Sequence, residues 1–330
     1  EKKNKKLNEL NIKEIQKIVM VPRAIEADAF VNGKVRVVKK RIAQGALLDG
    51  KTLAEIGVPE GVVVVMNERE SERFIPRGDT PLQAGDKITV MGNMGGIERF
   101  ARRYISNTSL GPDPRRAVIV GGGSVGFTIA KLLEDHGWKL KIIESNQQRA
   151  EELSGLLNAL VLHGDGTDLS LLREENVSDI PVLIAVTSND EKNLLVSLLA
   201  KEEGVKRIMT RASNLDTEQL FESVGIDVVR STTSAAVNAV LRGVLRSEQD
   251  FMGEFSHGNV RIMRIPITQE INARALCDLK SPVFAIVGAI LRDEKVLIPR
   301  GGDTINTGDE LLVFCQTDHV EAAKDFFENL

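Results

Sequence analysis

The 330-residue chain has one tryptophan and one tyrosine, too little aromatic surface to stack the bases of a nucleic acid. Basic residues are not in excess either. Lys plus Arg number 43 against 47 Asp plus Glu, for a net charge of −4, so no nucleic-acid partner is expected. The two cysteines, Cys277 and Cys315, lie far apart with no C-x-x-C. Neither a zinc site nor a disulfide framework is implied, and no metal ligand is assigned. No apolar run reaches the roughly 18 residues of a membrane span, and no signal peptide is visible. The expectation is a soluble cytoplasmic protein. Acid–base groups are scarce as well. Of the four histidines, only His163 falls at the carboxyl end of an expected strand, and Tyr104, the sole tyrosine, is remote from those ends. There is no Tyr-x-x-x-Lys, no pair of catalytic carboxylates and no Walker lysine. No catalytic residue is assigned, and the chain is not expected to be an enzyme; an NAD-dependent dehydrogenase is the alternative.

Residues 115–144 organise the rest. Ala117 to Val120 is a short apolar run that enters Gly121-Gly122-Gly123-Ser124-Val125-Gly126. Val125, Ile129, Leu132 and Leu133 then recur at helical spacing until Gly137, and a second apolar strand, Leu140 to Ile143, ends in Glu144. This is strand, G-x-G-x-x-G, helix, strand, acid. Gly121 permits the tight turn, Gly123 lets a pyrophosphate approach the backbone, and Gly126 lets helix and strand pack closely. The helix end offers N–H groups to phosphate, and Glu144 can accept from a ribose hydroxyl. A carboxylate there repels a 2′-phosphate, so NAD(H) or ATP/ADP is expected rather than NADP(H).

Strands and helices alternate from 117 to 230. Ser145, with Gln148 three residues on, predicts a capping box. Strands at Leu160 to Leu162, Val182 to Val186 and Arg207 to Thr210 lead into polar loops at His163–Asp168, Thr187–Asp190 and Arg211. Apolar, non-alternating strands indicate a parallel sheet covered on both faces, with those loops converging on one cleft at its carboxyl edge. On either side lies a small α+β unit. In the first, Lys34–Val37 alternates as a half-buried strand, and NERESER (67–73) reads as a solvated hairpin tip rather than an acidic cation site. Residues 258–265 echo 33–40, and LIPRGGDTINTGDELLVFC (297–315) echoes FIPRGDTPLQAGDKITVMG (74–92) at identical length. The fold class is α/β: a Rossmann-like parallel-sheet domain flanked by two small α+β domains. A connector helix from a missing upstream domain is expected at 1–29 and the first small domain at 30–105. A linker follows at 106–116, the nucleotide-binding domain with its exit helix at 117–247, and the second small domain at 248–330.

IVGGGSVG (119–126), KIIESN (141–146), LVLHGDGTD (160–168) and AVTSNDEKNLL (185–195), in this order and spacing, resemble the regulatory subunits of Trk-type potassium uptake systems, the TrkA family. These pair nucleotide-binding KTN (RCK N-terminal) domains with small RCK C-terminal domains. The resemblance implies binding of NAD(H) or ATP/ADP without conversion, and self-association into a ring. It also implies a position at the inner face of the cell membrane beside a potassium transporter or channel subunit. A sensing subunit for another cation transporter or antiporter is the alternative. By that resemblance Gly121, Gly123, Ser124, Val125 and Gly126 form the phosphate loop and Glu144 is the ribose acceptor. Asp165 and Thr167 lie beside the adenine, Thr187, Ser188, Asp190 and Asn193 close over the nucleotide, and Arg211 lies near the phosphates.

Overall fold

The computed structural model describes residues 24–31, 33–70, 72–106, 115–231, 251–255, 259–271 and 274–330. The expected connector helix, most of the linker, the exit helix over 233–245 and His257 lie outside the described residues. Those described form two compact units, 115–231 in one and 24–106 with 251–330 in the other.

The first small domain folds as β1 (Glu26–Phe30), β2 (Val35–Arg41), α1 (Leu53–Ile56), β3 (Val62–Arg69), β4 (Glu72–Phe74), β5 (Lys87–Gly92) and α2 (Met94–Phe100). Its antiparallel sheet has the order β1-β2-β5-β3-β4. One sequence expectation is extended and one corrected here. Lys34 to Val37 alternate as expected, exposed, buried, half-buried and buried, but Val38, Lys39 and Lys40 are buried as well, so both faces of β2 are covered beyond that stretch. NERESER is not a solvated tip as a whole. Asn67 and Glu68 are buried in β3, and the Glu68 carboxylate takes the Lys39 ammonium at 2.9 Å. Among the described residues no group of three or more His, Cys, Asp or Glu is placed to hold a metal ion.

The parallel-sheet unit runs β6 (Arg116–Val120), α3 (Ser124–Asp135), β7 (Lys139–Glu144), α4 (Gln147–Leu156), β8 (Leu160–His163), α5 (Leu169–Glu174), β9 (Val182–Ala185), α6 (Asp190–Glu202), β10 (Ile208–Ala212), α7 (Leu215–Ser223) and β11 (Val228–Ser231). All pairings are parallel, in the order β11-β10-β9-β6-β7-β8. Strand order therefore reverses between β6 and β9, which opens a crevice beyond their carboxyl ends. Val118, Leu183, Ile208 and Val229 are buried against helix residues such as Val196, Ala200 and Phe221. This is why the strands read as continuous apolar runs.

The second small domain comprises β12 (Phe251–Phe255), β13 (Val260–Pro266), β14 (Arg274–Ala275), β15 (Ala285–Arg292), β16 (Lys295–Leu297), β17 (Thr304–Ile305), β18 (Glu310–Gln316) and α8 (Val320–Glu328). Its main sheet, β12-β13-β18-β15-β16, repeats the first in order. The repeat holds to the residue. The isolated bridge Thr52↔Pro81 recurs as Ala275↔Thr304, and the β-bulge between Val64 and Met66 recurs between Val287 and Ala289. The two sheets share one core: Val35, Val37, Met66 and Met91 cluster with Val260, Ile262, Leu312 and Phe314. That shared core covers the second face of β2.

Candidate functional site

Strand β6 delivers Gly121 to the crevice with φ of 105°, in the left-handed region that glycine alone enters freely. A Cβ there would lie 2.9 Å from the Thr187 nitrogen. A Cβ on Gly126 would collide with the Gly121 carbonyl oxygen, so this glycine serves the corner itself as well as helix–strand packing. Gly123 differs: a Cβ would meet no protein atom within 4 Å. Packing does not require that glycine, but an open approach to the backbone does. Gly123 is also the N-cap of α3 and has no side chain to receive the first-turn amides. Side chains do cap α4 to α7, through Asn146, Asp168, Asn189 and Asn214. Helix α3 therefore turns an uncapped positive end towards the crevice.

At the end of β7, Glu144 is fixed rather than loose. Its Oε2 accepts from the Gly122 amide at 2.6 Å and its Oε1 from the Asn146 amide at 2.8 Å. The side chain thus ties the glycine corner to the turn before α4. The expected Ser145–Gln148 capping box does not form, because Asn146 takes the N-cap and accepts from the Arg149 amide at 2.9 Å. Arg149 in turn donates from Nε to the Gly122 carbonyl at 2.9 Å and pairs with Glu152 at 2.6 Å.

After β8, Asp165 Oδ1 accepts from the amide and hydroxyl of Thr167 at 3.0 and 2.8 Å. Its Oδ2 takes the Lys192 ammonium at 2.8 Å. The Lys192 hydrogen bond, followed by those from Thr167, holds the Asp165 carboxyl at about 2. After β9, Thr187 donates from its amide and hydroxyl to Asn193 Oδ1 at 2.8 and 2.7 Å. Asn193 Nδ2 reaches the Thr187 and Arg211 carbonyls at 3.2 and 3.1 Å. Fully buried, Asn193 braces the loops after β9 and β10. Asp190 accepts from the amide and hydroxyl of Ser213 at 2.9 and 2.6 Å, tying the same two loops from outside.

These elements enclose a cleft of about 490 Å³. Gly121, Gly123, Ser124, Val125, Glu144, Asp165, Thr167, Thr187, Ser188 and Arg211 line it together. Three residues named from the sequence are not in its lining. Gly126 lies beneath the corner, and Asp190 and Asn193 act through the loops they brace. Arg149 and Lys192, not named from the sequence, also line the cleft. Both sit in the first turn of a helix that follows a binding loop, and that position was the available signal. Neither His, Tyr nor Cys is among the lining residues.

A family model for the TrkA-N domain matches residues 117–232, and one for the TrkA-C domain matches 39–104 and again 270–328. The chain is 35% identical over 319 residues to "Trk system potassium uptake protein TrkA homolog 2" of Methanosarcina mazei, covering 96% of this chain and 70% of that one. It is 34% identical over 315 residues to the TrkA homolog of Archaeoglobus fulgidus, covering 95% and 71%. A solved structure of the GsuK channel bound to NAD superposes with a TM-score of 0.52 at 18% identity, a likeness of fold, over 98% of this chain and 58% of the channel chain. Among the described residues, no helix is long and apolar enough to cross a membrane.

Proposed function

This chain belongs to the TrkA family of potassium uptake proteins, and on that basis we propose that it is a nucleotide-sensing regulatory subunit that gates a Trk-type membrane potassium transporter or channel. The observation that carries this reading is the uncapped α3 end behind Gly123, open to the cleft and flanked by the anchored Glu144 carboxylate. The residues present fit an adenine nucleotide, NAD(H) or ATP/ADP. Phosphates would sit against the amides at Gly123–Val125, the ribose hydroxyls at Glu144, and the adenine beside Asp165 and Thr167. Ser188, Thr187 and Arg211 would meet the remaining groups. The cleft holds its ligand and does not convert it. Its two carboxylates are engaged with backbone amides and with Lys192, so neither is set to move a proton.

Regulation follows if the nucleotide binds two conformations unequally; a 100-fold difference is about 2.7 kcal/mol. Asn193 and Asp190 join the loop after β9 to the loop after β10, so a ligand that shifts Thr187 also shifts Arg211 and Ser213. Several chains would assemble as a ring at the inner face of the membrane and pass that shift to the transporter subunit. The test is titration calorimetry of the purified protein with NAD, NADH, ATP and ADP, alongside Gly123→Asp. A Cβ there meets no protein atom within 4 Å, and the carboxylate beyond it places bulk and negative charge where phosphate approaches. A loss of about 100-fold or more in affinity is expected, with circular dichroism unchanged. Retained affinity in Gly123→Asp would remove the cleft from the account.

A further inference from the structure

We propose that Lys192 reads the phosphate charge of the ligand: Asp165 holds its ammonium, a free terminal phosphate takes it, and the cleft therefore favours nucleoside polyphosphates over dinucleotides whose phosphates are all esterified. The inference rests on the nucleotide reading above and goes beyond it by ranking the ligands.

Its ground is where the ion pair lies. Asp165 belongs to the loop after β8 and Lys192 to the first turn of α6, after β9. In the sheet, β7 and β6 stand between those two strands. The 2.8 Å contact therefore reaches across the carboxyl ends of two strands, over the switch point at which the glycine corner opens. Both side chains are 47% exposed, and an exposed ion pair is weakly held. A terminal phosphate offers stronger, charge-assisted hydrogen bonds to the same ammonium. The first turn of α6 also carries Asp190 and Glu191, so its backbone end does not attract phosphate and the Lys192 side chain is the group that does. The other acid in the lining, Glu144, is bound to two backbone amides and does not compete. Arg149 is occupied by Gly122 and Glu152. When phosphate takes Lys192, the tie between α6 and the loop after β8 is released. Ligand charge thereby becomes a change in how the two walls of the cleft are joined.

The experiment is titration calorimetry of the intact chain with ADP and with NAD, for the wild type, Lys192→Met and Lys192→Arg. In Lys192→Met the ADP-to-NAD affinity ratio should fall about tenfold, and in Lys192→Arg, which keeps the charge, most of it should return. A ratio unchanged in Lys192→Met, in a protein that binds both ligands, overturns this inference alone. A wild type that binds neither overturns the nucleotide reading and this inference with it.

Discussion

The two small domains share strand order, bulge and bridge, yet they use charge differently. Each closes its central turn with the same clamp. Asp86 takes Arg69 through Nε at 2.8 Å and a terminal nitrogen at 2.7 Å, and Asp309 takes Arg292 the same way, at 2.7 Å for both. Each of these aspartates also accepts a turn amide, from Gln83 or Asn306. Away from the clamp the copies diverge. In the first, Glu68 is buried among Lys39, Lys87 and Arg73 at 2.9, 3.2 and 3.1 Å. In the second, leucine (Leu291) stands where Glu68 would be, and Arg264, in the place of Lys39, pairs instead with the more exposed Glu310. The cap of α1 diverges too. Thr52 and Glu55 form a full capping box and a helical turn follows. Ala275 has no side-chain cap, and a 3₁₀ turn, Leu276–Leu279, follows. The clamp is what the fold requires, and the buried ionic cluster is particular to one copy.

The comparison can be broken most severely at Glu68. Glu68→Gln leaves Lys39, 5% exposed, without its carboxylate, and should lower unfolding free energy by about 3 kcal/mol, read from urea denaturation. The pH dependence has a definite sign. Burial alone would raise the Glu68 carboxyl, but the charge and hydrogen bond of Lys39, with Lys87 and Arg73 adding, hold it at about 2 against an ordinary 4.5. A depressed value means stability that is present above pH 4.5 and drains away as pH falls towards 2. Melting temperature should fall over that window in the wild type, and Glu68→Gln should flatten this part of the curve. The next effect sharpens the shared feature. Asp86→Asn and Asp309→Asn should each cost about 2 kcal/mol, since each weakens one clamp and one turn amide, with Asp86→Asn the larger because Asp86 also accepts from the buried Asn67 side-chain amide at 3.1 Å. A larger loss in Asp309→Asn would show that the copies do not rely on the clamp alike. Smallest is Glu310→Gln, which disturbs a partly exposed pair and should cost less than about 1 kcal/mol.

The parallel-sheet unit was largely legible because its signals are local: an apolar run, a glycine corner, a helical period and a closing acid all fall within thirty residues. Most of the cleft followed from them, since Glu144, Asp165, Thr187 and Arg211 stand directly at strand ends. Less legible were residues that act one step removed. Asn193 looked like a contact and is a brace. Lys192, which the sequence did not single out, reaches across the crevice. The capping box was misplaced by one residue because Ser145 and Asn146 both suit an N-cap and only the backbone course decides between them. The duplicated sequence revealed two copies but not that they bury one another. That contact depends on strands covered on both faces, and in β2 the charged pair Lys39-Lys40 concealed the burial that Val37 and Val38 would otherwise have announced.

The bulge residue itself has a consequence for which copies can associate. It is Val65 in the first domain and Gly288 in the second, where a Cβ would collide with the Met91 sulfur. Gene duplication made the two halves alike, and this single position made them non-interchangeable. Two first domains brought face to face would press a valine onto that methionine, so a first domain fits a second domain and not another copy of itself.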